Sequence, residues 1–379
     1  MNTQDELTRA LHDQADRIGG HPIGLDDVRG RARGIRRRRW AATAAVTAVV
    51  LAVALPVGVG AWRALDRTDP PVAPSPAPSH GAAILHDRVV TLPDGDLVRV
   101  DVDSSDVSEF GVLTDGRIVM ANSDRMAIQV FSSYGTLEVQ YPVETTALTM
   151  GPTDETAAWI DGDDVVQVLE SGTADPVTLG ALRPSRFTPF GVDAVVGDDC
   201  ASGQCRVLAG DGTTTSREIT IDGVQDLGTA EPLRVTDVSP DGALWAVTFP
   251  PKGGEQYGCV GLYDPEAEQV TARNCQTSNL MFSPDGEHLL GGRYENNMAG
   301  EVTMLDLDLR TVGSYTPSPR VISRAAWADS THVVSAVAGL QDNQWSLVRT
   351  GIDGGEPEVI DGPVAGDNPE IGTEYLPSQ

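Results

Sequence analysis

Four cysteines are the residues best placed for covalent or metal chemistry: Cys200, Cys205, Cys259 and Cys275. A zinc site would need paired short spacings or neighbouring histidines, and neither pair has them. The segment between Cys259 and Cys275 contains the turn sequence Asp-Pro-Glu-Ala-Glu, and a hairpin folded about Ala267 sets these two cysteines opposite each other. Cys200 and Cys205 flank a tight loop. The pattern predicts two disulfides, Cys200–Cys205 and Cys259–Cys275, in an oxidising compartment.

The histidines and the common catalytic motifs give no further candidate for chemistry. The histidines lack the spacing of a metal site or a catalytic cluster and stand at His12, His21, His80, His86, His288 and His332. His288 and His332 occupy equivalent positions just after two turns, which indicates a structural or surface role. The sequence has no Gly-x-Ser-x-Gly motif and no glycine-rich loop for phosphate. We therefore predict a protein that is not an enzyme and that uses no cofactor.

Three turns rich in aspartate could supply oxygen ligands to calcium, at residues 161–164, 197–199 and 306–308. Calcium needs about six to eight oxygens that converge on one point, and none of these turns has the spacing of an EF-hand loop. Hairpin tips also use Asp and Gly for purely conformational reasons. We predict no metal site, and calcium in one of these turns remains the alternative.

The elements around these residues are short strands. From residue 84 to about residue 360, short apolar or alternating runs are separated by Gly, Asp, Pro, Asn and Ser, which is typical of β-structure. Two of the turns share the sequence Ser-Pro-Asp-Gly, at 239–242 and 283–286, and weaker copies occur at 113–116, 151–154 and 327–330. In such a turn Pro presets the backbone, Asp accepts a backbone hydrogen bond and Gly adopts a positive φ.

The turns recur with a regular period. Their aspartates are Asp115, Asp154, Asp241, Asp285 and Asp329. The separations are 39, 87, 44 and 44 residues, and a degenerate copy at 187–196 divides the long interval. Six repeats of this length match the period of propeller blades, each a four-stranded sheet. Trp159, Trp245 and Trp327 fall at or near the inner strands of three repeats, where core packing is the first interpretation and the lining of an axial pocket the second.

The Ser-Pro-Asp-Gly turns followed by small apolar strands resemble the repeats of TolB-like and WD-repeat-like β-propellers. The resemblance covers residues 84–360 and implies an all-β, six-bladed propeller. A hairpin formed by residues 84–90 and 96–102 precedes the first full repeat. We expect it to complete the last blade and so close the ring, because open strand edges invite aggregation. The alternative is half of a seventh blade.

An apolar run at residues 41–61 predicts one transmembrane helix over residues 40–62, since a helix of that length spans about 30 Å. Trp40 and Trp62 suit the two membrane interfaces, and the four consecutive arginines at Arg36, Arg37, Arg38 and Arg39 place the preceding end in the cytoplasm. A cleaved signal peptide is the alternative, but its apolar core is usually about 7–15 residues long.

Charge is divided sharply along the chain. The formal net charge is −28, and residues 1–67 carry eleven arginines against seven acids, so the remainder carries −32. A surface this acidic repels nucleic acid and excludes it as a partner. We predict a basic cytoplasmic stub (1–39), the transmembrane helix (40–62), a Pro-rich spacer (63–83), the propeller (84–362) and a C-terminal tail (363–379).

This layout resembles membrane proteins of actinobacteria, and the stub, with Asp5-Glu6-Leu7, is similar to tails of proteins linked to extracytoplasmic-function sigma factors. We predict a non-enzymatic, extracytoplasmic propeller that binds or senses an unknown ligand or protein and contacts membrane lipid through its helix. One alternative is a hydrolase or lyase of cell-wall polymer, which a deep axial pocket with facing carboxylates would favour. Another is a transmembrane regulator whose stub binds a sigma factor or similar cytoplasmic protein.

Overall fold

The computed structural model describes residues 81–378, apart from 182–190, 211–214, 252–257, 296–297 and 370–372. The chain divides into two compact units, Met1–Ala73 and Pro74–Gln379, and all the described residues belong to the second. Three predicted segments lie wholly or mostly outside the described residues. They are the stub with Arg36–Arg39, the transmembrane helix with Trp40 and Trp62, and the spacer. Among the described residues, no helix has the length and apolar character needed to cross a membrane.

The described residues form 28 strands, so the prediction of an all-β fold is confirmed. The strands make five four-stranded sheets and one eight-stranded sheet. The eight-stranded sheet has two halves that are joined by the single pair Ala299 and Ile322. We call each four-stranded group an array. The described residues therefore contain seven arrays, one more than the six repeats that the sequence shows.

The arrays follow one another along the chain. Array 1 contains β1 (Ile84–His86), β2 (Val89–Thr91) and β3 (Leu97–Arg99), together with the C-terminal strand β28 (Leu376–Pro377). Array 2 contains β4 (Val107–Val112), β5 (Ile118–Asn122), β6 (Ala127–Phe131) and β7 (Leu137–Pro142), and a short 3-10 helix, Ser104–Asp106, precedes it. Array 3 contains β8 (Thr149–Met150), β9 (Thr156–Ile160), β10 (Val165–Glu170) and β11 (Val177–Ala181). Array 4 contains β12 (Gly191–Val196), β13 (Arg206–Gly210), β14 (Ser216–Thr220) and β15 (Gly223–Asp226).

The last three arrays repeat the same plan. Array 5 contains β16 (Arg234–Val238), β17 (Trp245–Thr248), β18 (Val260–Asp264) and β19 (Gln269–Asn274). Array 6 contains β20 (Ser278–Phe282), β21 (His288–Glu295), β22 (Met298–Asp306) and β23 (Thr311–Tyr315). Array 7 contains β24 (Val321–Asp329), β25 (His332–Ala338), β26 (Gln344–Gly351) and β27 (Glu358–Ala365). Within arrays 2 to 7 each strand pairs antiparallel with the next.

The sequence predicts that the N-terminal hairpin completes the last repeat. The structure places this hairpin in array 1 instead. Strands β24 to β27 already form a full array, and β1 pairs instead with β28, through Ile84 with Pro377 and Leu85 with Leu376. The physical reason lies in the predicted tail, where Tyr375 and Leu376 are buried. Their burial supplies array 1 with its fourth strand and ties the two ends of the domain together.

The arrays pack face to face in chain order, which explains why their middle strands are apolar on both faces. All five residues of β5 and of β6 are buried, whereas the outermost strand β7 is largely exposed. One hydrophobic cluster joins arrays 2 and 3 around Trp159, and another joins arrays 3 and 4 around Val166 and Val207. A third cluster joins arrays 1 and 2 around Val100 and Phe110.

Both disulfides have the pairing that the sequence predicts. Cys259 and Cys275 lie at the ends of the β18–β19 hairpin with their Cα atoms 4.1 Å apart. Cys200 and Cys205 close the loop between β12 and β13, with Cα atoms 4.5 Å apart. The buried carboxylate of Glu170 accepts a hydrogen bond from the Cys200 backbone N–H, so this loop is also attached to array 3.

Candidate functional site

A cavity of about 630 Å³ lies where the first strands of the arrays meet, and we call it the central cavity. Residues of β4, β8, β12, β16, β20 and β24 line it, together with Gly81 and Ala82 immediately before β1. Six arrays thus contribute their first strand and array 1 contributes the segment that leads into it. All seven arrays surround this one cavity.

Three carboxyl groups reach the central cavity from the first strands, at Glu109, Asp193 and Asp237. Each accepts a hydrogen bond from the array that follows its own. Glu109 Oε2 accepts from the Leu148 N–H at 2.7 Å, and Asp237 Oδ2 accepts from the Phe282 N–H at 2.6 Å.

Asp193 makes the corresponding link through an arginine side chain. Its Oδ1 accepts from Arg234 Nε at 3.0 Å and also from Arg234 Nη2, while its Oδ2 accepts from the Ser216 hydroxyl at 3.3 Å. The Asp193 side chain is only 3% exposed. These three carboxyl groups therefore join array 2 to array 3, array 4 to array 5, and array 5 to array 6.

Uncharged groups make the remaining inner contacts. The Thr149 hydroxyl donates to the Val192 carbonyl at 2.7 Å and joins array 3 to array 4. The Trp327 indole N–H donates to the Met281 carbonyl at 3.2 Å and joins array 7 to array 6. The Ala82 N–H donates to the Trp327 carbonyl at 2.8 Å and joins the segment before array 1 to array 7. With the apolar contact between arrays 1 and 2, these contacts form a closed circuit around the cavity.

Burial changes the acidity of all three carboxyl groups. It raises the pKa of Asp237 to about 7, and the hydrogen bonds from the Phe282 and Val238 N–H groups offset only part of that rise. Burial likewise raises the pKa of Glu109, with the Leu148 N–H and the positive charge of Arg324 acting in the opposite direction. The pKa of Asp193 is also raised by burial, although the Arg234 hydrogen bond lowers it in part. Desolvation is the dominant effect at each position.

Two arginines line the same cavity in different states. Arg234 is held by Asp193, and its side chain remains 36% exposed. Arg324, on β24, is exposed, and within the described part of the chain its guanidinium makes no hydrogen bond or ion pair. The cavity therefore contains one arginine that has no hydrogen-bonded or ion-paired partner among the described residues.

Apolar side chains line another part of the cavity wall. Met150, Met281 and Leu290 come from arrays 3 and 6, and Phe249 follows β17 in array 5. Trp327 completes this lining from array 7. A cavity of this size that combines apolar side chains with convergent polar groups has the general form of a small-molecule site.

The predicted turn aspartates lie between the first and second strands of their arrays. Asp241 accepts from the Ala243 N–H at 3.1 Å and from the Ser239 hydroxyl at 2.7 Å. Asp285 accepts from the Glu287 N–H at 3.1 Å, and Asp115 accepts from the Arg117 N–H at 3.0 Å. These contacts hold the turns together, and Pro240 and Pro284 of two of them also line the central cavity.

One turn departs from the common pattern, and another has an aspartate with a strongly lowered pKa. The Asp154 N–H bonds the Gly151 carbonyl as the Gly242 N–H bonds the Ser239 carbonyl, and Asp154 has a φ of 57°. Asp154 therefore occupies the glycine position of the motif rather than the aspartate position. In the turn at Asp329, burial alone would raise the pKa, but hydrogen bonds from the Thr331 N–H and from His332 outweigh it and lower the pKa to about 2.

The remaining candidates have structural surroundings. All three tryptophans are buried in core clusters between arrays, and Trp327 also lines the cavity, so core packing applies to all three and the second interpretation to Trp327 alone. Asp161 accepts from the Asp163 N–H and from Gln167, as expected for a hairpin tip. Among the described residues, no group of three or more His, Cys, Asp or Glu side chains could hold a metal ion.

Sequence reasoning missed the charged residues of the central cavity. The available signal was a charged residue within the first strand of a repeat, a few positions before its turn, as at Glu109, Asp237 and Arg324. No local motif marks such a residue, because its importance depends on the meeting of strands that are distant in the sequence.

No protein-family model and no curated protein matches the sequence. Among solved structures, the chain is similar to the β-propeller domain of Cps50 (Swd1) from Myceliophteria thermophila, with 9% identity, a TM-score of 0.47, and coverage of 69% of this chain and 88% of that one. Hsv2 from Kluyveromyces lactis matches with 11% identity, a TM-score of 0.40, and coverage of 69% and 89%. A eukaryotic initiation factor matches with 12% identity, a TM-score of 0.40, and coverage of 74% and 96%.

Proposed function

We propose that residues 81–378 form a seven-bladed β-propeller whose central cavity binds a ligand without transforming it. The observation that carries this proposal is the convergence of seven consecutive arrays on one cavity, with the C-terminal strand closing array 1. Sequential four-stranded blades around an axis, joined between the chain ends, are the defining arrangement of a propeller. The Ser-Pro-Asp-Gly turns add their resemblance to TolB-like and WD-repeat-like blades.

The bonding of the cavity carboxyl groups favours binding over catalysis. A hydrolase would use a pair of carboxyl groups with separated pKa values, and Glu109, Asp193 and Asp237 do have raised pKa values. Each of them, however, accepts a hydrogen bond from the neighbouring array. Their burial and their bonds are explained by holding blades together, so catalysis is not needed to account for them.

We further propose that this propeller is held outside an actinobacterial cell by the helix at residues 40–62, with Arg36–Arg39 in the cytoplasm. The support is the charge asymmetry around the apolar run and the presence of two disulfides in the domain. No described residue bears on a partner of the cytoplasmic stub, so contact with a sigma factor or similar protein rests on sequence resemblance alone.

Equilibrium dialysis of the full chain against a small-molecule and peptide extract of a bacterial culture tests ligand binding. We expect mass spectrometry to recover one or more enriched compounds, chemically unchanged. Thr236→Trp places an indole in the cavity wall and should abolish the enrichment. Thr271→Trp, at an exposed position on the outermost strand of the same array, is the matched control and should retain it.

The hydrolase alternative is tested by incubating the full chain with cell-wall polymer. It requires that cell-wall polymer is cleaved and that cleavage stops in Glu109→Gln or Asp237→Asn while both variants remain folded. That result would replace the binding proposal with an enzymatic one. Equal enrichment by Thr236→Trp and by the unmodified chain would show that the ligand binds elsewhere.

A further inference from the structure

Arg324 is the group in the central cavity whose charge the protein leaves available. It lies on β24, the first strand of array 7, and its side chain is exposed into the space that the first strands enclose. Its electrostatic neighbour is Glu109, which itself accepts the Leu148 N–H. The other cavity arginine, Arg234, instead has a bonded carboxylate partner in Asp193.

An arginine in this state is suited to a ligand with an anionic group. A guanidinium presents its N–H donors in a fixed planar fork that matches the two oxygens of a carboxylate. In a part of the chain that carries a net charge of −32, an arginine would readily find an acidic partner on the protein itself. Arg324 nevertheless makes no hydrogen bond or ion pair with a described residue, although Glu109 lies near enough to interact with its charge.

The rest of the wall limits the class of anion. Because Arg234 is bonded to Asp193, Arg324 can match one ligand charge, and the second charge of a phosphate dianion would be left without a partner. Met150, Met281 and Leu290 offer apolar surface for the remainder of the molecule. The cavity volume of about 630 Å³ lies within the range usual for small-molecule sites.

We infer that the central cavity recognises a small organic monoanion, a carboxylate on an apolar body, and that Arg324 binds the carboxylate. This inference rests on the proposed binding function and specifies its ligand class. Arg324 makes the direct contact with the carboxylate.

Isothermal titration calorimetry on the full chain in lipid nanodiscs, with empty nanodiscs as the blank, tests this assignment. The probes are N-acetyl-methionine, its uncharged amide, and inorganic phosphate. We expect the carboxylate to bind at least tenfold more tightly than the amide, and phosphate to bind more weakly than the carboxylate. Arg324→Gln should remove the preference for the carboxylate while leaving the weak binding of the amide unchanged.

Arg125→Gln is the matched control, because Arg125 is an exposed arginine in the β5–β6 turn, outside the cavity lining. It should bind all three probes as the unmodified chain does. Equal binding of the acid and the amide would overturn the inference but leave the binding function standing. Tighter binding of phosphate would overturn the monoanion assignment. No binding by any probe would also overturn the inference, and the dialysis experiment would then decide the binding function separately.

Discussion

Replacing Asp237 with asparagine should reverse part of the pH dependence of stability. The pKa of Asp237 is 3.8 in its ordinary state and about 7 in the folded protein. Between these values the folded chain holds a proton that the unfolded chain has released, so stability falls as pH rises. At about 1.4 kcal/mol per pH unit, an interval of about 3 units corresponds to about 4 kcal/mol. Asparagine cannot ionise and escapes this penalty.

Urea denaturation of both proteins at each pH unit from 4 to 8 measures the effect. We expect the stability of Asp237→Asn relative to the unmodified chain to rise from pH 4 to about pH 7 and then to level off. The exposed turn residue Asp241 has a lowered pKa, so Asp241→Asn should show no such rise across this window. A constant difference between Asp237→Asn and the unmodified chain would refute the argument that burial keeps Asp237 protonated.

Three further predictions concern the turns, the disulfides and the topology. Asp329→Asn should make unfolding less sensitive to acid between pH 4 and pH 2. The lowered pKa of Asp329 gives stability that is present above pH 3.8 and lost as pH falls through about 2. Circular dichroism during acid titration measures this difference. Replacing Cys259 and Cys275 together by serine should lower the free energy of unfolding by up to about 3 kcal/mol. Urea denaturation under non-reducing conditions, which keep the Cys200–Cys205 disulfide intact, measures this loss. A reporter that works only in the cytoplasm should be active when fused at Met1 and silent after Gln379, and activity at both ends would contradict the proposed membrane orientation.

The parts of the fold that local chemistry specifies could be predicted from the sequence. The residue types of the Ser-Pro-Asp-Gly turns favour the turn conformation locally. Asp241 and Asp285 make the side-chain contacts to the backbone that such turns require. The pairing of Cys259 with Cys275 follows from hairpin register, since Val260 lies opposite Asn274 and Leu262 opposite Ala272. In each case the interacting residues are close together in the sequence.

The parts that depend on distant segments could not be predicted in the same way. Array 1 needs a two-residue strand from the C-terminus, and Leu376 and Pro377 carry no strand signal of their own. The sequence counts Asp154 among the turn aspartates, but Thr153 stands at the aspartate position of this turn and Asp154 at the glycine position. The cavity was invisible because Glu109 and Arg324 are brought near each other only by closure of the ring.

The inner hydrogen bonds from one blade to the next help to hold the blades around the central cavity. The first strands pack into the apolar clusters between blades and also line the cavity, where hydrogen bonds add to that apolar packing. Glu109 and Asp237 each accept a hydrogen bond from a backbone N–H group of the following blade. Without these acceptors each N–H group would be left unpaired at a cost of about 1–3 kcal/mol. Arg324 lies near Glu109 but makes no hydrogen bond or ion pair with a described residue, so its N–H donors remain available to a ligand.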